Sequence, residues 1–368
     1  LNLTTPRLLP FVAGIVLAGL IPLSNARADD ATIGGDARIF GMGGAGLALN
    51  YGGGQRMNPA SLAFEEKPFG LAAPSVGLRT GGLSGSKVQD AIKNNNGDAA
   101  ASLLRQFSSR DTTIGLNGDF SVRLSKFELS VYGAGKGYLQ PNDAVKAWDG
   151  TAGTAPVNSR VDLITGAYYA LPAISAGVTL PMSAQSAYNY GVGVRVKTLH
   201  GIYSHYIADK NVLDGNNNTA PTAPEMNGKN TLTKNSAGAD VGILMQPRGG
   251  QGLAAALLVT NLVNPSLKFD GTDRNGNAHQ YKLTGTTLSA GLGLQHKATA
   301  LAADIVDITG ATEKAEVRLG VEQRILNTIA LRGGYSSHTG YTVGLGIFGF
   351  GIAAGKNLPL EVSQSLKF

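Results

Sequence analysis

The stretch Ala315-Glu316-Val317-Arg318-Leu319-Gly320-Val321-Glu322 decides the fold. Every odd position is apolar, and every even one is charged or glycine. Side chains alternate across a β-strand, so this strand has one greasy face and one charged face. The same split recurs along the chain. Tyr188, Tyr190, Val192, Val194 and Val196 oppose Asn189, Arg195 and Lys197, while Phe127, Leu129 and Val131 oppose Glu128 and Ser130. In the last stretch Leu360, Val362, Leu366 and Phe368 lie opposite Glu361, Ser363, Ser365 and Lys367.

Extended along the chain, the pattern predicts fourteen strands. They fall near 67–79, 112–124, 126–138, 161–180, 188–207, 232–246, 252–268, 281–296, 298–308, 314–325, 327–337, 340–347, 349–356 and 358–368. Several exceed the roughly 9–11 residues that cross a bilayer, so they should project beyond it. Among the first connections, 80–111, 139–160 and 208–231 are long, whereas Ser125, 181–187 and 247–251 are short. One of medium length, 269–280, follows. Such sorting is expected of a transmembrane antiparallel β-barrel with one end outside the cell and the other in the periplasm. An even strand count places both termini in the periplasm. The expected fold is therefore all-β, a monomeric barrel of about fourteen strands over 67–368.

Composition agrees. Charged residues are only 15% and glycine is 51 of 368, which suits a wall with one face in lipid, where charge is costly. Arg7, the apolar run Leu8–Leu23 and Ala26-Arg27-Ala28 read as a signal peptide over 1–28. Removing Arg7 and Arg27 from 31 basic residues leaves 29 against 25 acidic ones, a net charge of +4. That mild balance does not suggest a nucleic-acid partner. Cysteine is absent, which excludes disulfides, thiolate metal sites and a lipoprotein anchor. Past residue 28 there is no long apolar run of the kind a helical membrane protein needs. The aromatic terminus Phe368 fits recognition by barrel-assembly machinery. The expected location is the bacterial outer membrane, with outer-membrane lipid as surroundings.

Residues 29–66 do not alternate. Gly41-Met42-Gly43-Gly44-Ala45-Gly46, Gly52-Gly53-Gly54 and Asn58-Pro59-Ala60 imply tight backbone packing with little side-chain volume. A compact plug inside the barrel has that requirement. Residues 86–94 and 98–107 read as two short helices, with Asp98 capping the second. This helical insert, about 86–107, is either a packed lid or a platform for an apolar substrate.

Ala37-Arg38, Gly41-Met42-Gly43-Gly44-Ala45-Gly46 and Asn58-Pro59-Ala60, in that order behind a signal peptide, resemble the hatch of the FadL/TodX outer-membrane transporters. They are also similar to the outer-membrane group catalogued as conjugal transfer protein TraF, to which Ala73-Pro74-Ser75-Val76-Gly77 before a helical insert comes closer. The motifs cover about 29–80. The resemblance implies a fourteen-stranded barrel closed by its N-terminal segment. It implies passive uptake of hydrophobic or amphipathic small molecules, such as long-chain fatty acids or hydrocarbons. In such proteins substrate leaves sideways beside a kinked strand. Gly133, Gly135 and Gly137 in the third strand are candidates for that opening, or simply make room for the plug. Helices fall in the first long loop here, not the third and fourth, so substrate identity does not carry over.

The remaining constellations are weaker. Gly41-x-Gly43-x-x-Gly46 spells a dinucleotide fingerprint, but no βαβ unit surrounds it. Phe269-Asp270-Gly271-Thr272-Asp273-Arg274-Asn275-Gly276-Asn277 has the texture of a calcium loop without its closing Glu, so no metal and no cofactor is expected. His200, His205, His279, His296 and His338 show no nucleophile order. Alternation aims Arg195, Lys197, Asp240, Asp304, Glu316, Arg318, Glu322, Arg324, Arg332 and Glu361 into the lumen. There they pair with one another and the plug, or one cation holds a substrate carboxylate. Tyr188, Tyr190, Tyr335, Tyr341, Phe348 and Phe350 fit aromatic girdles. Two other readings stay open: a structural or conjugation-associated envelope protein, and a barrel-embedded hydrolase.

Overall fold

The structure, a computed structural model, describes residues 37–49, 57–81, 112–148, 153–210, 231–263, 267–272, 277–310, 315–325, 328–338, 340–348, 350–355 and 360–367. The expected signal peptide, Gly52–Gly54, the insert at 86–107 and Phe368 lie outside them. The N-terminal part contributes helix α1 (Ala37–Gly41) and a 3-10 turn at Pro59–Phe64. Then follow β1 (Phe69–Gly81), β2 (Thr112–Leu124), β3 (Phe127–Pro141), helix α2 (Asp143–Ala147), β4 (Arg160–Leu180), β5 (Tyr188–Asp209), β6 (Thr231–Pro247) and β7 (Gly252–Thr260). A small hairpin comes next, β8 (Lys268–Thr272) and β9 (Ala278–Lys282). The chain continues with β10 (Thr287–His296), β11 (Thr299–Val306), β12 (Glu316–Ile325), β13 (Ile329–Ser336), β14 (Gly340–Ile347), β15 (Phe350–Gly355) and β16 (Leu360–Lys367).

All but β8 and β9 form one antiparallel sheet. Sequence neighbours pair throughout, β7 pairs directly with β10, and β1 pairs with both β2 and β16, so the sheet closes on itself. Alternation assigns its two faces. Phe127, Leu129, Ile174, Val178, Val194, Val196, Leu257, Val321 and Val343 are exposed on the outer face. Glu128, Ser130, Ser175, Arg195, Lys197 and Glu322 are buried on the inner one. Most of these outer apolar residues sit one position from a buried polar one, the inverse of a soluble protein's pattern, whereas the buried neighbours of Leu257 are Ala256 and Leu258.

The strands differ in reach. β4 and β5 run 21 and 22 residues, whereas β13 and β14 run 8 each. One side of the wall therefore rises far above the other at the long-loop end. Two register shifts interrupt the ladders. One lies between Ala72 and Ser75 of β1, the other between Ala170 and Ala173 of β4. Each gap contains a proline, Pro74 or Pro172, which has no N–H to give to the ladder. The extra residue in β4 flips its facing, from even residues inward below 171 to odd ones inward above 172.

Two sequence expectations change here. Gly133, Gly135 and Gly137 pair without a break to β2 on one side and β4 on the other, so no wall opening lies there. They fall on the outer face with Phe127 and Leu129, so they do not make room for the N-terminal segment either. A methyl group on Gly133 would lie 2.9 Å from the Tyr169 Cβ, so this glycine accommodates a cross-strand aromatic residue. Strands near 252–268 and 281–296 do not form at those lengths. β7 ends at Thr260, and Asn261 turns the chain with a φ of 55°. The Asn261 backbone N–H donates to the Asp240 carboxylate at 2.9 Å, and its side-chain amide donates to the Gly285 carbonyl at 3.0 Å. β8 and β9 thereby leave the wall as a separate two-stranded sheet.

The N-terminal segment lies on the inner face at backbone distance. A methyl group added to Gly193 of β5 would sit 2.2 Å from the Pro59 carbonyl carbon. One on Gly334 of β13 would sit 2.0 Å from the Gly43 nitrogen, and one on Gly320 of β12 would sit 2.5 Å from the Met42 oxygen. Gly43 itself adopts a φ of 71°, a left-handed conformation that glycine takes without strain. Replacing Gly193 by valine is expected to cost at least the ~1–3 kcal/mol of an overpacked core. The urea midpoint for loss of heat-modifiable gel mobility should fall accordingly. Gly333→Ala, whose added methyl would meet only Val321 at 3.6 Å, should leave that midpoint in place.

Candidate functional site

The lumen holds two chemistries, one at each end. At the short-turn end, the N-terminal segment is held by charge. Arg38 of α1 donates to both oxygens of Glu322 on β12, at 2.6 and 3.1 Å. The same carboxylate accepts from Arg332 of β13 at 2.7 Å and Arg324 at 3.2 Å. Glu322 is only 1% exposed, so these cations replace the water it has lost. One turn along the segment, the backbone N–H groups of Gly46 and Leu47 donate to the Asp304 carboxylate at 2.7 and 3.0 Å. Arg318 donates to the Gly44 carbonyl at 3.3 Å and pairs with Glu316, which also accepts from Ser336. The Gly43 N–H donates to the Thr342 hydroxyl at 3.0 Å.

The 3-10 turn is fixed on the opposite wall. The Asn58 side chain accepts from the Ala60 N–H at 3.0 Å, capping the turn, and donates to the Ile243 carbonyl of β6 at 3.3 Å. Pro59 and Ala60 lie over Gly193 and Gly191. Met57 and Phe64 pack with Leu47, Ala48, Ala60, Leu244, Ala254, Ala256 and Leu258 in one apolar cluster. Where the segment joins β1, Arg123 donates to the carbonyls of Lys67 and Phe69 at 2.6 and 3.2 Å. Lys126 reaches the Ala63 carbonyl at 2.7 Å.

Gly41, Gly43, Gly44, Gly46, Asn58, Pro59 and Ala60 thus all lie against the inner wall. Of the lumen charges, Arg195, Lys197 and Asp240 form a second knot, in which Lys197 reaches both Asp240 oxygens at 2.6 and 2.9 Å. Arg195 also donates to Ser175 at 3.0 Å and stands 5.7 Å from the Tyr132 ring centre. Every described charge in the predicted set meets an opposite charge or the segment's backbone. Arg324 is the most exposed of them. Glu361 is described by its backbone alone, opposite Gly77 and Ala353.

At the long-loop end the lumen becomes aromatic. The hairpin β8–β9 folds inward against β4 and β5, and Leu267, Phe269, Tyr281 and Leu283 cluster with Ile164, Tyr168, Leu199 and Tyr203. Gly166 and Gly201 leave room for it; a methyl on Gly166 would meet Leu283 at 2.7 Å. Beside these rings, Asp162 accepts from Arg160 at 2.7 and 2.8 Å and meets His205 Nε2 at 2.6 Å. Sequence reasoning missed this cluster, because Leu267 reads as the end of a wall strand and Phe269 as the start of the connection after it. Asn261 and Pro265 were the available signal for a break.

The other candidates resolve differently. Asp270 lies in β8 and accepts from Gln280 across the hairpin at 3.0 Å, which is structural use of a carboxylate read as calcium-like. Among the described residues no group of acidic and histidine side chains could hold a metal. His200 faces outward, stacked on Tyr169 at 4.7 Å, with Nδ1 on Asn235 at 2.9 Å. Its Nε2 faces the Leu171 carbonyl at 3.4 Å, not a hydroxyl that it could activate.

No protein-family description matches the sequence, and no curated protein does. Among solved structures the chain is similar to the deltaS2S3 mutant of TodX, a monoaromatic hydrocarbon channel. The two share 12% identity, the match covers 91% of this chain and 99% of that one, and the TM-score is 0.50. The toluene transporter TodX of P. putida matches at 12% identity over 90% and 96% of the two chains, with a TM-score of 0.44. The monoaromatic hydrocarbon channel CymD matches at 12% over 92% and 99%, with a TM-score of 0.49. At this identity the likeness is one of fold. It gives no support to the resemblance to the TraF group.

Glu322 is the hub of the latch, so its removal tests whether charge holds the segment. Glu322→Gln would leave three guanidinium groups around a neutral amide, and breaking such a buried pair costs about 3–5 kcal/mol. The expected result is trypsin cleavage after Arg38 in the folded variant under conditions where the wild type resists. Equal resistance would show that glycine packing alone retains the segment.

Proposed function

We propose that the protein is an outer-membrane channel for passive uptake of hydrophobic or amphipathic small molecules, with residues 29–66 as its hatch. The observation that carries this reading is the change of chemistry along the lumen. A purely structural barrel could be filled by ion pairs throughout. Here the loop end presents rings and aliphatic side chains, while at the other end residues 37–49 and 57–64 lie against the inner wall. An apolar molecule would leave water at the mouth and be stopped by the hatch until it moves.

The outer face supports a lipid setting. Its exposed apolar band exceeds what a water-facing surface carries. Tyr341, Phe348 and Phe350 are 73%, 75% and 56% exposed and lie toward its two ends, as interfacial aromatics do. The TodX variant that shares the fold is by name a hydrocarbon channel, and extending that activity to this chain is part of the proposal. A sideways exit would fall most easily beside Pro74 of β1 or Pro172 of β4, where the ladders are already interrupted.

The test is uptake of radiolabelled toluene and oleate by cells that lack other hydrophobic channels. Expression of the protein should raise the initial rate of at least one compound several-fold over a strain carrying an unrelated barrel. Unchanged rates for both would leave a non-transporting envelope protein as the better reading.

A further inference from the structure

The hairpin β8–β9 does more than line the mouth, because one of its rings occupies a seat that the wall provides. Phe269 is fully buried, although it lies on a two-stranded excursion from the wall. Its ring stacks on Tyr203 of β5, with centroids 5.4 Å apart and planes 16° from parallel. The Lys234 ammonium of β6 stands 5.2 Å from the same ring centre and also donates to the Lys268 carbonyl. Leu267 and Gly201 complete the seat, with Gly201 close enough that a methyl there would meet Phe269 at 3.3 Å. Tyr281 covers Tyr203 at 5.2 Å.

Tyr203 is 2% exposed, and its hydroxyl has no hydrogen-bond partner among the described residues. It abuts Gly271, where a methyl group would come within 2.5 Å of the oxygen. A buried hydroxyl without a partner is disfavoured, and a tyrosine that needed only to pack could have been a phenylalanine. The ring itself would serve the core equally well. The hydroxyl therefore has a use that the closed hairpin does not fulfil.

We propose that Tyr203 and Lys234 form a preformed binding seat for a monocyclic, electron-rich aromatic molecule bearing a hydroxyl, and that Phe269 occupies it as an internal surrogate. A ligand displacing Phe269 gains the same stacking face and the same cation over its ring. A phenolic ring is richer in electrons than phenylalanine's, which strengthens the attraction to the ammonium. Its hydroxyl can also satisfy Tyr203. The inference rests on the reading of the mouth as the place where substrate enters, and it narrows the substrate class from hydrophobic or amphipathic small molecules to phenols.

The test measures binding, not uptake, so it can fail independently of the channel reading. The full-length protein in lipid nanodiscs is titrated calorimetrically with p-cresol and with toluene, against empty discs. Phe269→Ala should bind p-cresol at least tenfold more tightly than the wild type, because the competing ring is gone. Adding Tyr203→Phe should weaken p-cresol about fivefold and leave toluene unchanged. Adding Lys234→Gln should weaken both ligands. No gain in Phe269→Ala, or a gain indifferent to both Tyr203→Phe and Lys234→Gln, would overturn the proposal. Should Phe269→Ala lose the heat-modifiable mobility of a folded barrel, Phe269→Leu keeps the apolar fill without the ring and is read by the same criteria.

Discussion

The rest of the structure depends on contact between two backbones inside a closed wall. A barrel of this strand number encloses a lumen that must be filled or left wet. Here it is filled by chain running against the wall with no side chain between them. Gly43 and Gly334 make the contact reciprocal, since a Cβ on either would strike the other strand's backbone. Glycine therefore appears on both surfaces at once. Where Pro59 and Ala60 cross Gly193 the glycine is on the wall alone, and a Cβ on it would strike the segment's backbone. Neither the segment nor the wall could change alone.

Close approach also explains the buried charges. With the segment's backbone pressed on the wall, the Gly46 and Leu47 N–H groups point at Asp304 and the Gly44 carbonyl points at Arg318. Those backbone groups have no sheet of their own, and inside a barrel each must find a partner. The wall's charges supply it. Glu322 then locks Arg38 of the segment in place. Packing and electrostatics are coupled here, so the segment leaves by breaking several interactions together or not at all.

The mouth follows a different logic. β8 and β9 bring their own backbone hydrogen bonds as a two-stranded hairpin, so their backbone needs no network of wall charges like that around the N-terminal segment. They enter with rings, and Gly166 and Gly201 again provide the space. Two inserted segments thus use the same glycine device at opposite ends, one sealed by ion pairs and one by aromatic contacts.

Alternation by itself determined the wall. Period two is a local property of the backbone, so the charges of Glu316, Arg318 and Glu322 could be placed inward from their neighbours alone. So could the exposed face of Phe127 and Leu129. The glycines of the N-terminal segment were legible as tight packing, because their number leaves little else to fill space. Their partners were not. Gly193, Gly242, Gly320 and Gly334 look like ordinary strand glycines, and only closure of the sheet brings them beneath Pro59, Asn58, Met42 and Gly43. The glycines of β3 misled for the same reason, since the break in pairing followed proline, which lacks a donor, while Gly133 served a cross-strand tyrosine. Phe269 shows the limit most plainly. The residues just before it alternate as a wall strand does, and local periodicity cannot tell a strand in the wall from one folded inside it. Only the tertiary structure decided that, because which ring lies on Tyr203 depends on where Asn261 turns the chain.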